Sequence, residues 1–146
     1  MKQRYRLPLR EKVFIESLMY HGFRKCRRRR NLKYKRGYVI PATQAEDSGG
    51  IDFWVKMPRD SRLFPVQITQ RGVRLYLRLS KPTAQMRAVF EERSLKRVEK
   101  KRRICYRNGI AFVLVRDTNE KNTCVRTAQS DVAALRYAIA TLKRWL

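Results

Sequence analysis

The chain has 146 residues, of which 36 are Lys or Arg and 12 are Asp or Glu, for a formal net charge of +24. With 43% apolar residues, two Trp, seven Tyr and six Phe, it has the material for a domain core, which excludes a wholly disordered basic tail. No apolar run approaches the ~18 residues that cross a bilayer, and the opening Met1-Lys2-Gln3-Arg4-Tyr5-Arg6 lacks a secretory apolar stretch, so a cytoplasmic protein with no membrane partner is expected.

In chain order, Leu9, Val13, Phe14, Leu18 and Met19 form one helical stripe, which predicts a first helix over 9–19 with Gly22 as its stop. The basic run 24–30 follows, and residues 37–43, β-branched and aromatic, read as a strand. Residues 44–50 read as a polar turn, 51–57 as a second strand, 58–62 as another turn and 63–69 as a third strand, an antiparallel meander. Pro82 and Thr83 open a long helix reaching Ile104. Ala84, Ala88, Leu95 and Val98 lie on its apolar side, with Arg87, Lys96, Lys100, Lys101 and Arg103 elsewhere. Asn108-Gly109 marks a turn, and the unbroken apolar run 110–115 predicts a strand buried on both faces and central in its sheet. Ser130 reads as the N-cap of a last helix, whose stripe is Leu135, Ala138, Ile139, Leu142 and Trp145. The order is α-β-β-β-α-β-α, in a single domain over 1–146.

The charge is uneven along this order. Residues 1–37 carry 14 basic and two acidic side chains, and 81–107 carry ten and three, whereas 38–80 carry six and four. Charge of this size makes a polyanion the expected partner, and nucleic acid leads, because each phosphate neutralised releases counterions. Arg24, Lys25, Arg27, Arg28, Arg29, Arg30 and Lys33 before the first strand, and Arg87, Lys96 and Lys100 on the long helix, are the candidate nucleic-acid contacts. Between them Glu46, Asp47 and Asp52 form an acidic corner, the kind of oxygen-rich site that suits a hard divalent cation. Cys26, Cys105 and Cys124 show no C-x-x-C spacing, which points to neither a disulfide framework nor a zinc knuckle.

The order of elements, with Gly49-Gly50-Ile51-Asp52-Phe53-Trp54-Val55 and Pro65-Val66-Gln67-Ile68-Thr69-Gln70, resembles the PD-(D/E)XK nuclease superfamily over nearly the whole chain. The resemblance implies a restriction-endonuclease-like α/β core, a mixed central sheet flanked by helices. It also implies Mg²⁺ or Mn²⁺ as cofactor and either metal-dependent endonuclease activity or a catalytically weakened relative that retains DNA binding, with DNA favoured over RNA as partner, and it admits a homodimer. By this likeness Asp52 takes the place of the metal-bridging aspartate, Gln67-Ile68-Thr69 that of the (D/E/Q)-x-K triplet, and Glu16 that of a first-helix glutamate. The implied catalytic residues are Asp52, Gln67, Thr69 and Glu16, and the implied metal ligands Asp52, Glu46 and Gln67. The lysine of the triplet is missing, since Thr69 stands at its position.

Strand arithmetic bears on the same residues. If 57–63 closes the hairpin, paired positions sum to about 120 or 121, so Asp52 lies opposite Ile68 or Thr69. Gln67 and Thr69 share a face by the period of two. Lys56 lies about 13 Å along the strand from Asp52, towards the turn, and is a poor substitute for the missing lysine. Arg71 and Arg87 reach the site more easily, but a guanidinium stays protonated and cannot act as a base. The competing reading is a non-catalytic basic RNA-binding protein, associated with the ribosome, for which small size and high charge are equally natural.

Overall fold

Phe14 and Leu18, both fully buried, anchor the first helix, and the ring of Phe14 sits 5.6 Å from that of Phe53 in the sheet. The computed structural model describes residues 9–71, 84–116 and 128–146. In order these form α1 (Leu9–Tyr20), β1 (Arg24–Lys25), β2 (Tyr38–Pro41), α2 (Gln44–Ser48), β3 (Phe53–Lys56), β4 (Leu63–Arg71), α3 (Ala84–Arg107), β5 (Ala111–Arg116) and α4 (Ala128–Trp145). The fold is α/β: a mixed five-stranded sheet ordered β1-β2-β3-β4-β5, with helices packed against it. The meander β2-β3-β4 is antiparallel, while β1 runs parallel to β2 and β5 parallel to β4.

Period-two alternation assigns the faces. Phe53 pairs with Val66, and these two, with Phe64 and Ile68, are buried on the face that meets Phe14. Gln67 and its partner Phe112 point to the other face, where the thiol of Cys105 on α3 reaches Gln67. The helix α4 lies with α1, and a buried hydrogen bond from Ser17 Oγ to Asp131 Oδ2, 2.7 Å long, joins the two. The helices α1 and α3 thus cover opposite faces of the sheet.

Several expectations change. The run 110–115 forms β5 as predicted, but β5 is the last strand of the described sheet rather than a central one; helices on both faces account for its apolar run, and only Leu114 is notably open. Residues 44–50 hold the helix α2, because Thr43 and Glu46 form a reciprocal capping box. The basic run contributes the two-residue strand β1. Ser130 lies inside α4, which begins at Ala128. Met19, Leu95 and Trp145, expected on buried stripes, are exposed, while Ile15 is buried. The segment 72–83, with the predicted helix start at Pro82 and Thr83, lies outside the described residues. Among the described residues no helix is long and apolar enough to cross a membrane.

Candidate metal centre

The hairpin register decides what meets Asp52. Lys56 pairs with Leu63 and Phe53 with Val66, so paired positions sum to 119 rather than the expected 120 or 121, and Asp52, just before the last pair, lies against residues 66–68. The difference arises because Leu63 already belongs to the ladder and the turn is 57–62. Asp52 is 8% exposed and extends the ladder past the end of β3: its N–H donates to Val66 O at 2.9 Å, and its Oδ2 accepts from Ile68 N at 2.7 Å. A carboxylate that takes a backbone N–H at a strand end is held in one orientation.

Glu11 and Asp47 join it. One carboxylate oxygen from each of Glu11, Asp47 and Asp52 lies within 4.8 Å of the others, the only grouping of this kind among the described residues. Glu11, only 2% exposed, comes from the first turn of α1, Asp47 from α2 and Asp52 from the head of β3. Three hard oxygen donors from three elements are what Mg²⁺ or Mn²⁺ takes, so the residues fit such an ion. Gln67 borders the group. Its Oε1 accepts from Cys105 Sγ at 2.8 Å and lies 3.7 Å from where a Cβ on Gly50 would stand, so glycine leaves room for the amide. Thr69 Oγ1 is buried and has no hydrogen-bond partner.

The other candidates sort differently. Glu16 is exposed and outside the cluster. Glu46 is also outside it, because it is committed elsewhere: Oε1 accepts from Thr43 N, and Oε2 accepts from Arg29 and from the indole N–H of Trp54 at 2.6 Å. Partial burial pushes the Glu46 carboxyl up, but the Thr43 N–H, the Arg29 guanidinium and the Trp54 indole outweigh it and hold it at about 2, below the ordinary 4.5. The Arg29 guanidinium also lies over the Trp54 ring, 4.5 Å from its centroid. Lys56 is 2% exposed and donates to three backbone carbonyls at the turn end of the hairpin.

Among the candidate nucleic-acid contacts, Arg24, Lys25, Arg27, Arg28, Arg30, Lys33 and Lys100 are exposed. Arg29 is paired with Glu46, and Lys96 forms a solvent-exposed pair with Glu92. The side chains of Arg71 and Arg87, and all of Cys124, lie outside the described residues. Lys96, Lys100, Arg103 and Arg107 follow one another at helical spacing along α3 and line a 580 Å³ depression with Ile104.

Two signals for the observed cluster are present in the sequence. Glu11 lies three and seven residues before Phe14 and Leu18, on the buried stripe, whereas Glu16 lies off it. Thr43-x-x-Glu46 is the pattern of a capping box, which commits Glu46 and turns the adjacent Asp47 towards Asp52. No protein-family model matches this chain, and no curated protein and no solved structure matches it.

Proposed function

We propose that the protein is a metal-dependent phosphodiester hydrolase of restriction-endonuclease-like fold that acts on DNA. The observation that carries this reading is the convergence of Glu11, Asp47 and Asp52 beside Gln67, inside a chain of net charge +24. Three carboxylates that converge in this way offer a hard divalent cation its oxygen ligands. A bound Mg²⁺ or Mn²⁺ would polarise the phosphoryl group and lower the pKa of an attacking water. Asp52 fixes the ligand geometry through its bond from Ile68 N, and Glu11 and Asp47 complete the negative charge. The order helix, antiparallel meander, crossover helix and parallel strand supports the fold part of the reading.

Binding is the work of the cationic surface. The arginine run borders the centre through Arg29, which is tied to Glu46 next to Asp47, while Lys96, Lys100, Arg103 and Arg107 lie on the side of α3 turned away from Cys105 and Gln67. Supercoiled, linear and single-stranded DNA, and RNA, incubated with Mg²⁺, Mn²⁺ or EDTA, test the reading. Metal-dependent cleavage of DNA is expected, reduced at least ~100-fold in Asp52→Ala and Asp47→Asn while DNA affinity persists in EDTA. Binding to RNA with no metal-dependent product from any substrate would instead identify a non-catalytic RNA-binding protein.

A further inference from the structure

We infer that Lys101, on α3, provides the ammonium that acts on the phosphate in this centre, in place of a lysine on β4. The inference rests on the hydrolase reading above and adds a catalytic residue to it. The geometry begins at the bond from Cys105 Sγ to Gln67 Oε1, which sets α3 over β4 at position 67. Because β5 runs parallel to β4, with Ala111 beside Val66, the helix joining them must run back along β4. Four residues back along α3, from Cys105 to Lys101, is ~6 Å of helix rise. Two residues forward along β4, from Gln67 to Thr69, is ~6.6 Å of strand on the same face. Lys101 therefore stands abreast of Thr69, whose buried hydroxyl has no hydrogen-bond partner.

The helix also turns Lys101 the right way. Val98, Lys101 and Cys105 are three and four residues apart, hence on one stripe; Val98 packs against the core and Cys105 is 3% exposed. The stem of Lys101 thus starts on the sheet-facing side while its residue stays exposed, within reach of a substrate. Burial pushes the Cys105 thiol up from its ordinary value; Lys101 pulls it down and Asp52 pushes it further up, so both charges act on the same sulfur.

The chemistry calls for such a cation. Hydrolysis forms a bond from a water oxygen to phosphorus and breaks the bond from phosphorus to a sugar oxygen. One water proton ends on that leaving oxygen and the other passes to solvent. Negative charge builds on the phosphoryl oxygens meanwhile, and a preorganised donor there is worth most. The Lys101 ammonium donates to one of these oxygens and keeps its proton, a role Thr69 cannot fill.

The test compares wild type, Lys101→Met, Lys101→Arg and the double variant Lys101→Met/Thr69→Lys, by single-turnover DNA cleavage with Mn²⁺, DNA affinity in EDTA and thermal unfolding. Lys101→Met is expected to reduce the cleavage rate ~100-fold or more, with DNA affinity in EDTA within about threefold of wild type, since one of many phosphate contacts changes, and an unchanged melting temperature. Lys101→Arg retains part of the rate, and Thr69→Lys restores cleavage to Lys101→Met. A Lys101→Met protein that cleaves like wild type, weakens in affinity in step with rate, or is not rescued by Thr69→Lys overturns the assignment while leaving the hydrolase reading intact. A wild-type protein that gives no metal-dependent product removes both.

Discussion

Glu46 shows how one carboxylate can be kept out of an acidic cluster by its neighbours. It caps α2, holds Arg29 and receives the indole proton of Trp54, and this clasp fixes the helix from which the adjacent Asp47 reaches the cluster. Its folded pKa, about 2, lies below the ordinary 4.5, so the stabilisation it gives is fully present above pH 4.5 and is lost as pH falls towards 2. Glu46→Gln should therefore cost about 1–2 kcal/mol at pH 6, discounted because Arg29 is half exposed. The gap between variant and wild type should close as pH falls towards 2, as urea unfolding at several pH values would measure. Residue type alone makes Glu16 and Glu46 plausible ligands, but Glu11 and Asp47 stand in the cluster because helix rotation and capping, rather than composition, aim a side chain.

At the scale of elements, the clearest construction is the one around Lys56. Its Nζ donates to the carbonyls of Tyr34 at 2.9 Å, Arg36 at 2.7 Å and Met57 at 3.2 Å, with the Tyr34 and Tyr38 rings near by. One buried ammonium thus ties the end of the basic segment to the tip of the β3–β4 hairpin. Lys56→Met leaves three carbonyls without that donor and should destabilise by about 2–4 kcal/mol, measured by urea unfolding, with faster trypsin cleavage within 24–36. Strands and long helices are legible in the sequence because their periods are local: 37–43 and 51–57 contain β2 and β3, 63–69 lies within β4, and the helices expected over 9–19 and up to Ile104 are α1 and α3. The strand β1 is not legible, since Arg24 and Lys25 carry no alternation and are ordered by pairing with Tyr38 and Val39.

For the whole molecule, the net charge of +24 divides into cations held by the protein and cations open to a partner. Arg29 is held against Glu46 and Trp54, whereas Arg27, Arg28 and Arg30 are exposed. Replacing these three arginines by Gln should weaken duplex binding and reduce the slope of log affinity against log salt by about 0.9 for each phosphate that is no longer neutralised. Arg29→Gln should change that slope less and stability more, a contrast that fluorescence anisotropy at several salt concentrations and urea unfolding would read together.

The sequence by itself determined the charge, the α/β class, most helices and strands, and that Asp52 and the segment 67–69 share one end of a hairpin, because composition and periodicity are properties of short stretches. Only the tertiary structure decided the register that sets Asp52 between Val66 O and Ile68 N, the faces that separate α1 from α3, and the choice of Glu11 and Asp47 over Glu16 and Glu46. Those depend on where a turn closes by one residue and how far a helix is rotated about its axis, and packing of the whole core sets both.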